Sequence, residues 1–100
     1  ELNLTPSGQQ LISTLESAAP GDPFNIAFLT NFSEHHIMAI SRSVDCVAQA
    51  GHEALREYCG MIVEMQTEDV REMRGELAGR YGIFIDTPIP SIGKVPEPAT

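Results

Sequence analysis

One hundred residues are one domain's worth of chain, too short for a multi-domain enzyme carrying its own cofactor fold. Fourteen Asp and Glu against six Lys and Arg give a formal net charge of −8, and so acidic a surface repels phosphate backbones and anionic lipid alike. No apolar run is longer than that of Ile26-Ala27-Phe28-Leu29, far below the ~20 residues of a membrane span, and Trp is absent, so neither nucleic acid nor membrane insertion is expected.

Thr5-Pro6 reads as a helix start, an N-cap followed by proline where its missing N–H costs nothing. Leu11, Ile12, Leu15 and Ala18 or Ala19 then recur at helical spacing until Pro20-Gly21, which predicts a short first helix over about 6–19. Asp22-Pro23 repeats the start signal. Phe28, Phe32, His35/His36, Ala39, Ser43, Cys46/Val47 and Ala50 follow in steps of three and four, a continuous face on a helix over 23–50. After Gly51 a third helix, 52–81, places Leu55, Tyr58, Ile62, Met65/Gln66, Asp69/Val70, Met73, Leu77 and Tyr81 on one side. Glutamates dominate the opposite side, a solvated surface with an i,i+4 Glu76–Arg80 pair.

So short a break between two long helices requires an antiparallel hairpin. Facing residues in a hairpin have position numbers with a constant sum, and if Cys46 faces Cys59 that sum is 105. The register then sets Ser43 against Ile62, Ala39 against Gln66, His36 against Asp69 and Phe32 against Met73. Small residues near the thiols allow the close approach of a Cys46–Cys59 disulfide, with thiolate metal ligation as the alternative. The two cysteines favour an exported protein, secreted or periplasmic.

Residues 1–82 are therefore expected to form an all-α helical bundle built on a long antiparallel hairpin. Residues 83–100 carry Pro88, Pro90, Pro96 and Pro98 and cannot be helical. Ile83, Phe84, Ile85, Ile89 and Ile92 need cover, so this tail is expected to lie extended over the bundle or over a second subunit.

The unusual chemistry lies in Glu34-His35-His36 with Met38, set against Met61, Met65, Asp69 and Met73, which stand at successive i,i+4 steps and read as one line down a face. Imidazole with thioether is a donor set suited to soft Cu(I). A hydrogen-bonded His36–Asp69 pair, with the methionines as core filler, uses the same residues without a metal.

Phe32-Ser33-Glu34-His35-His36-Ile37-Met38-Ala39-Ile40 and Gln66-Thr67-Glu68-Asp69-Val70-Arg71-Glu72-Met73 give the stretch from Phe28 to Leu77 a family resemblance. It resembles the domain of unknown function 305 family, small and usually exported helical proteins with a ferritin-like bundle core. Phe32 and Arg42 stand where the family motif has methionine, and Asp69 where it has glutamate. The resemblance implies His35, His36 and Met73 as ligands for Cu(I) or Ag(I), as in periplasmic copper-binding members; Met38 and Met65 are candidate substitutes for the two lost methionines. The family often carries two hairpins per chain. One hairpin here, with only part of two ~40 Å helix faces hidden, points to a homodimer completing a four-helix core.

No enzymatic activity is expected. Diiron sites of ferritin-like bundles need Glu-x-x-His, and the chain lacks that spacing, a phosphate loop and a Ser/His/Asp order. The competing readings are a metal-binding module and a metal-free interaction module built on the same face.

Overall fold

The structure, a computed structural model, describes residues 6–93; the Thr5 cap and tail residues 94–100 lie outside the described residues. Three α-helices follow one another: α1 (Pro6–Ser17), α2 (Asp22–Gln49) and α3 (Glu53–Tyr81). No strand is present among the described residues.

Helix ends follow local chemistry. In the last turn of α1 the Ser17 hydroxyl donates to the Ser13 and Thr14 carbonyls, each at 3.0 Å. These bonds compete with the backbone ladder, and Ala19, just before Pro20, is held out of the helical region. The helix thus stops two residues short of Ala19. Gly21 caps α2 with φ 87° and ψ −142°, a conformation only glycine adopts without strain, and Pro23 follows in the first turn. Gly82 ends α3 at φ 67° and ψ 24°; its N–H bonds the Ala78 carbonyl and the Ile83 N–H bonds that of Leu77. The last carbonyls are thereby satisfied without another turn.

The two long helices pack side by side as an antiparallel hairpin, and α1 packs against α2 but not α3. Cys46 and Cys59 form a disulfide across the hairpin's closed end, with Cα atoms 6.1 Å apart. At mid-length His36 meets Asp69, and at the open end the Asn25 amide donates to the Tyr81 hydroxyl, which donates to Asp22. The disulfide and the His–Asp pair both keep the register expected from the thiols.

The core itself is turned about one residue from the expected faces. On α3 the buried residues are Cys59, Val63, Thr67, Val70, Arg74 and Leu77; on α2 they are Ser33, Ile40 and Ser43. Leu55, Tyr58 and Met65, placed inward by periodicity, are exposed. Apolar side chains cover more than one side of α3, so periodicity alone does not choose between adjacent stripes. The choice falls to Ile89 of the tail, 2% exposed, which packs into a cluster with Ile40, Val63 and Val70, flanked by Ile37, Val44 and Met73. The tail thus lies extended over the hairpin, covering Ile89 while leaving Phe84 82% exposed.

Candidate functional site

The residues singled out for soft-metal chemistry fall into two groups. Successive residues on a helix diverge by ~100°, and His35 and His36 turn to different neighbours. His36 lies at the α2–α3 seam with its side chain 12% exposed. Its Nδ1–H donates to the Phe32 carbonyl at 3.1 Å, and its ring rests against the Phe32 ring at 4.6 Å between centroids. Phe24, Phe28 and Phe32 stack in sequence below it. The other ring nitrogen, Nε2, points at Asp69, 3.4 Å from Oδ2.

A carbonyl oxygen only accepts, so the contact to Phe32 assigns the proton to Nδ1. Nε2 then faces a carboxylate, also an acceptor. The geometry is satisfied by a second proton on Nε2, giving an imidazolium–carboxylate pair, or by a cation between the two groups.

His35 turns instead toward α1. With Met38, Asn31 and Glu34 it lines a cavity of about 180 Å³ closed on the α1 side by Gln10 and Leu11. Met38 is 43% exposed.

The methionine ladder on α3 does not stay on one side. Each i,i+4 step overshoots a full turn by ~40°, so the line winds from the seam outward. Met73 is half-buried against the core cluster, Asp69 is at the edge, and Met65 and Met61 are exposed. The structure therefore brings His36 to Asp69 at the seam, packs Met73 one turn further along α3 against the core cluster, places His35 and Met38 beside α1, and leaves Met65 facing water. Among the described residues no three His, Cys, Asp or Glu side chains converge as a metal site, so an ion at His36 needs a methionine to complete its donors.

The family model described as Domain of unknown function (DUF305) matches residues 7–77. The chain belongs to this family. No curated protein and no solved structure matches it. The DUF305 match takes in all of α1 beyond Pro6, all of α2 and α3 as far as Leu77, including every residue of both groups. It ends before the tail, so Ile85, Thr87 and Ile89 lie outside the DUF305 segment although they pack on it.

Sequence reasoning passed over Arg74. A cation at the next three-or-four step after Thr67 and Val70 was the available signal, since that stripe is otherwise buried. Arg74 is 5% exposed, and its Nη2 donates to the Thr87 carbonyl at 2.7 Å. Burial pushes the guanidinium pKa below its ordinary value, opposed by the charge of Asp86.

Proposed function

We propose that this DUF305 domain is a non-enzymatic, exported module that holds a soft monovalent ion, Cu(I) or Ag(I), at His36, with Asp69 and Met73 as the adjoining donors. The observation that carries the reading is the pair of acceptors around one imidazole. Phe32 fixes Nδ1 as the protonated nitrogen, the usual arrangement for a metal-binding histidine, while Nε2 meets Asp69 at 3.4 Å. The Met73 thioether tilts the set toward a soft ion rather than a hard one. Export accords with the Cys46–Cys59 disulfide, since such bonds persist in oxidising compartments; no described helix is long and apolar enough to cross a membrane.

Silver titration in chloride-free buffer tests this with the disulfide intact. One saturable equivalent tighter than micromolar is expected, weakened about tenfold or more by His36→Ala or Met73→Ala and unchanged by His52→Ala. Absence of saturable binding ends the metal reading.

A second reading rests on exposed apolar surface. Leu55, Tyr58, Met61 and Met65 stand 47%, 60%, 56% and 62% exposed, and the fold is only 16 Å deep in its thinnest direction. A second copy laid on this side of α3 completes a four-helix core. Sedimentation equilibrium of the full chain is expected to give a dimer mass that Met65→Glu reduces to a monomer; a wild-type mass independent of concentration and equal to one chain removes this reading.

A further inference from the structure

Helix α3 has one covered side and one bare side. Ile40 of α2 and Ile89 of the tail cover Val63 and Val70, while α1 packs against α2 but not α3. On the bare side Leu55, Tyr58, Ile62 and Met65 follow one another at steps of three, four and three, with Met61 beside them. Ile62, half-buried, marks the inner edge, and the other four are exposed. Spacing this regular makes a straight apolar ridge, ~15 Å long at ~1.5 Å per residue. Asp69 holds the next place in the series and ends it.

Carboxylates border this ridge. By helical angle Glu57, Glu64 and Glu68 lie along one edge and Glu72 stands beyond its end, and all four are exposed. Arg71 shares a neighbouring surface cavity with Glu64 and Glu68 and offsets part of their charge. The other cations of α3 are engaged elsewhere. Arg56 donates to the Ala50 carbonyl, Arg74 is buried under the tail, and Arg80 pairs with Glu76 in the last turn. The border therefore keeps a surplus of negative charge, on a chain whose formal net charge is −8.

We propose that this ridge docks a cationic amphipathic helix of another protein, its apolar stripe on Leu55, Tyr58 and Met65 and its Lys or Arg side chains on the bordering glutamates. Two helices bury matching stripes when both repeat at three and four, which sets the partner's conformation. Met61 and Met65 add flexible thioethers that repack around unlike side chains. Complementary charge steers the encounter and rejects the wrong partner. A second copy of this chain brings the same glutamates to the same ridge, so like charges meet where a basic helix brings opposite ones. The proposal thus gives the face a different occupant from the homodimer reading. It uses none of the His36, Asp69 or Met73 side chains and does not rest on the metal reading.

A synthetic peptide of about four helical turns, leucine on one face and lysine on the other, tests the proposal on the full disulfide-bonded chain in chelator-containing buffer. It is compared with the same peptide carrying glutamate for lysine, and with one of equal positive charge carrying serine for leucine. The Leu/Lys peptide is expected to bind saturably, one per chain, about tenfold or more tighter than either counterpart, and more weakly as salt is raised. Met61→Ser with Met65→Ser is expected to weaken it about tenfold or more. Glu64→Gln with Glu68→Gln is expected to weaken it about fivefold and to flatten its salt dependence. All four positions are exposed, so the helical circular dichroism is expected to stay unchanged. Equal binding of the glutamate peptide, equal binding of the serine peptide, or undiminished binding by the methionine variant would each overturn the proposal. So would a dimer mass in sedimentation equilibrium that saturating Leu/Lys peptide leaves intact, since a second copy then holds the ridge. A chain that stays monomeric at all concentrations and binds the peptide supports the proposal and removes the homodimer reading. The three-peptide comparison needs no variant.

Discussion

Two side chains on opposite flanks of one helix pair show how differently a polar group can be settled. His36 has an acceptor at each ring nitrogen and one edge open toward exposed Asp69, so water still reaches the pair. Arg74 is sealed under the tail with a single carbonyl for company. Replacing a poorly compensated buried charge by an apolar group of similar length is often neutral or stabilising. Arg74→Met is therefore expected to keep the urea-unfolding free energy or raise it by about 1 kcal/mol. Arg74→Ala removes the same charge but also the stem that fills the space under the tail, and is expected to lower it by about 2 kcal/mol. Equal losses from both would show that the charge itself stabilises the fold. The His36–Asp69 contact was legible in the sequence because both residues belong to long helices whose register follows from the two thiols. The burial of Arg74 was not, because the residues that cover it are 11 and more positions downstream in a segment with no periodicity.

At the scale of the element, the glycines and prolines between helices carry clear instructions. Gly21 and Gly82 both hold positive φ, and a Cβ added at either meets no atom within 4 Å. The cost of a side chain is thus conformational alone. Gly82 sits in the left-handed helical region, which other residues enter for ~1–2 kcal/mol. Gly21, at ψ −142°, lies outside it in territory left to glycine. Gly82→Ala is expected to reduce the unfolding free energy by about 1 kcal/mol and Gly21→Ala by about 2 kcal/mol or more in chemical denaturation; the reverse order would mean that the α1–α2 corner relaxes. Helix existence followed from such signals, whereas the inward stripe of α3 did not. Val63 and Thr67 are buried in place of Ile62 and Gln66, while Val70 and Leu77 keep their expected inward places, a rotation of about one residue over the first half of α3 that leaves the helical pattern itself intact.

For the molecule as a whole, the tail joins the bundle through one side chain above all. Ile89 closes the cluster of Ile40, Val63 and Val70, whereas Phe84, larger and five residues earlier, stays in water. Ile89→Ala is expected to cost about 2–4 kcal/mol and to raise hydrogen exchange at the Arg74-to-Thr87 contact. Phe84→Ser is expected to stay within about 0.5 kcal/mol of the parent. A small effect at Ile89 would mean that the tail adds no core.

The chain order alone determined three helices, the antiparallel hairpin, its disulfide register and the meeting of His36 with Asp69, because these depend on spacing within segments that are regular. Only the tertiary structure decided which stripe of each helix is buried, that His35 and His36 serve different neighbours, that Met65 faces water and that Arg74 is enclosed. Those outcomes depend on where an aperiodic tail and a short first helix come to rest, and competing apolar faces of nearly equal quality are separated only by the side chains that finally cover them.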